Sequence, residues 1–284
     1  MSADPTGLPF QEQLRFLRGK ASVPTQGWRD VMREGHDHAF MVAGAMKADL
    51  LNDLRVAVTR AIEEGKTLDW FQKNFEEIAG RHGWEYKGTA SWRSKVILET
   101  NYLTSYAAGR HAQQTDPEFL KQNPFWEWRH GDSVHPRPQH LAWNGMVLDA
   151  TDPFWAAHYP PCGWGCKCLI FANDKEGIAE RGLKISERPP NPLLPTRKGE
   201  ALPGVDIGFD YTPGATVTER MRPIINTKLK ELPKPISADL KKELMAYLKE
   251  TESKPFAKVD TRTRAPRAPR LPFSTPDPYN NLGD

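Results

Sequence analysis

No apolar run in the sequence approaches the roughly 20 residues that span a bilayer, so no membrane partner is expected. The beginning, "MSADPTGLPFQEQLRF", has acids and a proline where a signal peptide needs a basic start and an apolar stretch. The sequence therefore predicts a protein made and kept in a cytoplasm. Net charge is also scarce: +3 is too little for a globally basic nucleic-acid binder, so only local patches count. Cysteine is the rarest informative residue. There are three, an odd number, and a reducing compartment makes a structural disulfide a poor explanation for them.

Hydrophobic residues are scarce as well, at 38% with a mean hydropathy of −0.64, while 25 prolines and 21 glycines favour loops. Over 284 residues this predicts less core than the length permits, with a compact centre and extended arms. The expected class is α+β: an N-terminal helical region, a compact central loop-and-strand module and an extended proline-rich C-terminal region.

Residues 1–24 read as an arm with one short amphipathic piece, and 25–116 as a helical region. From Thr25 to about Gly80 the apolar spacing is helical, beginning with Trp28, Val31 and Met32. Asn52-Asp53 or Lys66-Thr67 can open new turns, and "TLDWFQKNFEEIAGRHGW" predicts a helix capped by Thr67 and stopped at Gly80. Ser91–Gln114 predicts an amphipathic helix with Trp92, Val96, Leu103 and Tyr106 on its apolar face. Residues 117–172 form the central module, with strands expected at Phe125–His130 and Cys168–Ala172. Residues 173–253 read as extended, with two helices near Thr216–Leu232 and Ser237–Glu252. Residues 254–284 read as a basic, disordered tail. No repeat at solenoid periods is present.

All three cysteines fall in "YPPCGWGCKC", Tyr159–Cys168. With His135 and His140 upstream, Cys162, Cys166 and Cys168 make up a zinc-competent set within 35 residues, His158 standing in reserve. Zinc needs four such donors, and neither Cys-x-Cys nor the histidine spacing is that of a regular zinc module. A structural zinc and a metal-free knot of buried thiols, prolines and tryptophans both stay open. A metal-dependent or thiol enzyme is the enzymatic alternative; the thiol form needs a thiol–imidazole nucleophile made with His140 and Asp132, and no local pattern around the cysteines supports it. Glu250-Thr251-Glu252 has the Glu-x-Glu form of ADP-ribosyltransferases, without the strand that should precede it, and ends a lysine-rich helix.

The order Asp132, Arg137-Pro138-x-His140, Gly145, Asp152-Pro153-Phe154-Trp155, Pro160-Pro161, Gly163-Trp164 and Cys166-Lys167-Cys168 resembles the phage Mu protein F-like family of minor head, or head-morphogenesis, proteins. "GKASVPTQGWRDV", "HDHAFMVAG", "ETNYLTSYAAGR" and "GFDYTPG" resemble further parts of it, so the likeness spans roughly residues 8–215. It implies a non-enzymatic protein of tailed phages or prophages, present in few copies. Such a protein works in procapsid assembly at or near the portal and sits inside the head of the virion after assembly in the host cytoplasm. Its implied partners are the portal and other head proteins. The recurring polar set is Asp132, Arg137, His140, Cys166 and Cys168; Cys162 and His135 stand outside it. On this set alone a closed zinc site is incomplete. Arg137 can instead fork onto Asp132 or loop carbonyls, and His140 can cap a carbonyl.

Lys254, Lys258, Arg262, Arg264, Arg267 and Arg270, against one aspartate, form an interrupted basic arm able to track phosphates of double-stranded DNA without sequence preference. The alternative is a solvated tail. Deleting residues 254–284 is expected to flatten the salt dependence of DNA binding in a filter or polarisation assay. An unchanged salt slope would make the arm a solvated tail only.

Overall fold

The computed structural model describes residues 10–131, 133, 135–187, 189 and 197–215. The expected helices near 216–232 and 237–252, the 254–284 tail and Asp132 lie outside the described residues.

The chain opens with α1 (Gln11–Arg18), then β1 (Ala21–Ser22), α2 (Gly35–His38) and β2 (Ala39–Phe40), the two short strands pairing in parallel. Long helices follow: α3 (Ala48–Glu63), α4 (Leu68–His82) and α5 (Ala90–Gln114). Residues 25–34 are turns rather than the expected helix, and Trp28 is exposed. The Asp30 carboxylate accepts the N–H groups of Gln26 and Gly27 at 2.7 and 3.1 Å, offering the backbone a turn in place of a helix. Asn52-Asp53 lies inside α3. Thr67 caps α4 by accepting the Trp70 N–H, but α4 continues past Gly80 and stops at Gly83, whose φ of 58° only glycine adopts readily.

Two cores meet along α5. The first holds Leu50, Leu51 and Leu54 of α3, Phe71 and Phe75 of α4, and Ile97 and Leu98 of α5. On α5, Leu103 and Tyr106 are buried as expected, whereas Trp92 and Val96 are half-buried and Ile97 and Leu98 take the inner positions. The reason is that α5 is enclosed on more than one side, because α1 and α4 both pack against it. Gln13 of α1 reaches across to the Ser105 hydroxyl, donating at 3.1 Å.

After α6 (Pro117–Gln122), whose first turn is capped by Asp116, comes β3 (Phe125–Arg129). Then follow α7 (Pro138–Ala142), β4 (Val147–Asp149), α8 (Trp155–His158) and β5 (Leu169–Asn173). The sheet order is β4-β3-β5, all antiparallel. Strands β3 and β5 lie within a residue of their expected bounds; β4, three residues long, is too short for alternation to reveal. On β3, Trp126 and Trp128 enter the second core with Trp143, Phe154, Trp155, Tyr159 and the cysteines. Glu127 points to the opposite face, 1% exposed, and is neutralised by Arg129 at 2.6 Å and Arg181 at 2.7 Å.

Residues beyond 173, expected to be extended, contain α9 (Lys175–Glu180) and the hairpin β6 (Glu200–Leu202) and β7 (Val205–Asp206). The class is α+β, and among the described residues no helix is long and apolar enough to cross a membrane. Leu98→Ala, which empties a position 3% exposed, is expected to cost on the order of 2–5 kcal/mol in chemical denaturation. Val56→Ala, at a position 56% exposed, is expected to stay within about 0.5 kcal/mol. Equal effects would contradict the assigned helix faces.

Candidate functional site

The site begins with a helix five residues long. Pro138 opens α7 with its φ already set for a helix, and the single turn carries His140 inward while Arg137 flanks it at the start. Facing it is the loop Tyr159–Cys168, which cannot form a ladder of backbone bonds because of Pro160 and Pro161, joined by a cis peptide bond. What closes the loop is side-chain chemistry and the hairpin β6–β7, which returns from some 40 residues further along the chain.

Contacts of His140, Arg137 and Asp206 make the closure. His140 Nε2 lies 2.7 Å from the Gly204 carbonyl oxygen; since a carbonyl only accepts, Nε2 carries the proton. Nδ1 then faces two sulfurs, Cys168 Sγ at 3.5 Å and Cys166 Sγ at 3.7 Å. Arg137 Nη2 donates to Asp206 Oδ2 at 2.7 Å and to the Trp164 carbonyl at 3.2 Å. The same Asp206 oxygen accepts the Trp164 N–H at 2.9 Å, and the Asp206 N–H donates back to the Cys162 carbonyl at 2.9 Å. The guanidinium thus bridges the start of the module, the cysteine loop and the hairpin, through the two N–H groups of Nη2.

The glycines in these loops are close-contact positions. A Cβ on Gly163 would meet Asp206 Oδ2 at 2.3 Å, and one on Gly131 would meet the Lys167 carbonyl oxygen at 2.0 Å. Any larger side chain would push the hairpin or the Cys-x-Cys turn away. The second core surrounds the trio with aromatic rings: His140 lies stacked 5.6 Å from Trp143 and edge-on 5.5 Å from Trp128. Trp164 packs edge-on against Phe209, 5.2 Å away.

Burial and neighbours reshape the titration of these groups. The Cys166 thiol is held well below its ordinary value by the hydrogen bond from Cys168, with His140 adding to the effect. Cys168 is pushed well above it by the same bond and by burial. Cys162 is raised well above its ordinary value by burial and the Cys166 sulfur. Burial lowers His140, but the adjacent Cys166 sulfur overcomes this and raises it. Asp206 is raised by burial, against the pull of Arg137.

Of the residues singled out in the sequence, the structure brings together Arg137, His140, Cys166 and Cys168. The described residues give Arg137 Asp206 as its carboxylate, and Asp132 lies outside them. His135 is exposed and takes no part. Cys162 is buried in the same core, but its sulfur is not in the cluster of ligand atoms formed by His140, Cys166 and Cys168, which lie within 4.8 Å of one another. His158 donates through Nδ1 to the Phe154 carbonyl, 3.0 Å away, and stacks on the Phe154 ring. The residues missed are Gly204 and Asp206. Their signal was "GVDIGFDYTPG", a stretch dense in turn residues with two aspartates, 206 and 210, each between apolar or aromatic neighbours. Lys254, Lys258, Arg262, Arg264, Arg267 and Arg270 lie outside the described residues.

Comparison with known proteins agrees with the resemblance read from the sequence. The family described as "Phage Mu protein F like protein" matches residues 52–171, from within α3 to β5. The chain is 34% identical over 172 residues to the "Mu-like prophage FluMu F protein" of Haemophilus influenzae, covering 57% of this chain and 41% of that protein. It is 32% identical over 193 residues to the "Putative capsid assembly protein F" of Escherichia phage Mu, covering 63% of this chain and 44% of that protein. The chain thus spans less than half the length of these two relatives. No solved structure matches it.

Asp206→Ala is expected to leave Arg137 without its carboxylate in a largely buried position and to cost about 3 kcal/mol in equilibrium unfolding. A loss under about 0.5 kcal/mol would show that the hairpin is not held by this pair.

Proposed function

We propose that this chain is a structural protein of a tailed-phage or prophage head and acts in head assembly. One observation carries the reading. The stretch that matches the Mu F-like family, 52–171, runs through the helical core and contains Arg137, His140, Cys166 and Cys168, and a phage relative of this chain is named for capsid assembly. On this reading the chain works among other head proteins at or near the portal. It reaches the inside of the virion head after assembly in the host cytoplasm, and its basic arm touches packaged DNA without sequence preference.

The geometry supports a structural role over an enzymatic one. A thiol nucleophile must reach its substrate, yet Cys162, Cys166 and Cys168 are 0%, 3% and 6% exposed. A cavity bordered by Cys166 and Cys168 has a volume of about 20 Å³, room for roughly one water and no substrate. His140 and Arg137 are both committed to holding loops together, through Gly204, Asp206 and Trp164.

The test is co-expression of the full chain with the portal and head proteins of its own phage. The chain is expected to co-purify with the portal oligomer, and particles made without it are expected to lose infectivity. Elution apart from every head protein, together with normal particles in its absence, would contradict the proposal.

A further inference from the structure

We propose that His140 Nδ1, Cys166 Sγ and Cys168 Sγ form a structural site for a thiophilic divalent cation, zinc in the first place. The three donor atoms lie within 4.8 Å of one another, and all three residues are buried. Three donors come from these residues, and a water would fill the fourth position of the tetrahedron.

Four observations lead to this. The first is geometric. With Zn–S near 2.3 Å and Zn–N near 2.0–2.1 Å, a tetrahedral zinc places nitrogen and sulfur about 3.5–3.6 Å apart along each edge. The two N···S distances here are 3.5 and 3.7 Å. A thiol hydrogen bond can account for one of them, because Nδ1 has a single lone pair and accepts one proton. A metal accounts for both at once.

The second is the far side of the imidazole. The Nε2–H bond to Gly204 fixes the tautomer that leaves Nδ1 free to ligate, the outer contact that orients a metal-binding histidine. Thirdly, Gly131 lies so close to the Cys-x-Cys turn that an added Cβ would overlap the Lys167 carbonyl, so the backbone between the two cysteines is held tightly in place.

The fourth is charge. Two thiolates would be costly to ionise in a pocket walled by Trp128 and Trp143. A dication bound by two thiolates and a neutral imidazole gives no net charge, and the two thiol protons leave to solvent on binding. Soft sulfur with imidazole selects zinc over magnesium or calcium. The low exposure of all three ligands makes the site structural: it ties α7, the Cys-x-Cys turn and, through Gly204, the hairpin into one unit.

The experiment uses the full chain purified without chelators. Elemental analysis is expected to find about one zinc per chain, and X-ray absorption at the zinc edge to count two sulfurs. Cobalt added to the chelator-stripped protein should give the thiolate charge-transfer and ligand-field bands of a tetrahedral site. Cys166→Ser and Cys168→Ser are each expected to reduce metal content to below about a tenth, while Cys162→Ser, equally buried, keeps it. The wild-type measurements decide the matter even if the ligand variants do not fold. Protein that is metal-free as purified and gives no cobalt bands would overturn the proposal in favour of a hydrogen-bonded thiol knot. Three sulfurs at the metal, with metal lost in Cys162→Ser, would overturn the ligand assignment.

Discussion

Everything in the central module depends on how His140 is held. Its ring sits between a carbonyl that arrives from position 204 and two sulfurs that arrive from 166 and 168. A five-residue helix such as α7 has too few internal bonds to stand alone, and a loop with consecutive prolines has few backbone donors to offer. Neither can be stable without the other, and the imidazole is where they are joined. Arg137 repeats the arrangement one turn away, with Asp206 and Trp164 in place of Gly204 and the cysteines.

This joint is mounted on a rigid base. Helix α5 carries Ile97 and Leu98 into the helical core and Ala107 into the aromatic one. At its end the Gln114 amide donates to the Ile170 carbonyl at 2.9 Å and accepts the Tyr159 hydroxyl at 2.8 Å. Gln114 thereby fixes both the strand after the cysteine loop and the residue where that loop begins. Another tie runs from the far end of the described chain: the Thr212 hydroxyl donates to the Trp155 carbonyl at 2.6 Å, and the Gly214 N–H to Asp37 at 2.9 Å. The cysteine loop is thus enclosed from the helical side and from the hairpin side. Its residues are arranged for cohesion, which suits the structural role proposed above.

Much of this was legible in the sequence where local chemistry decides. Thr67 before an apolar-periodic run, and the β-rich "FWEWR" and "LIFAN", give their elements to within a few residues because capping and side-chain fit act over short range. Trp28, Val31 and Met32 misled because their spacing is helical while Asp30 between them ties the backbone into a turn. The inner face of α5 was read one position away from Ile97 and Leu98, since a helix packed on several sides has no single stripe. In the site, the residue types of Arg137, His140, Cys166 and Cys168 marked them out. Their partners did not stand out, because Gly204 and Asp206 lie 64 and 69 residues away from them and a glycine carbonyl has no signature.

The direct test of the His140 joint is its ring proton. Long-range proton–nitrogen correlation spectra of the full chain should show a proton on Nε2 that exchanges with solvent as slowly as core amides such as that of Trp128. A histidine protonated at Nδ1 alone, or a ring proton exchanging as fast as that of exposed His135, would contradict the account.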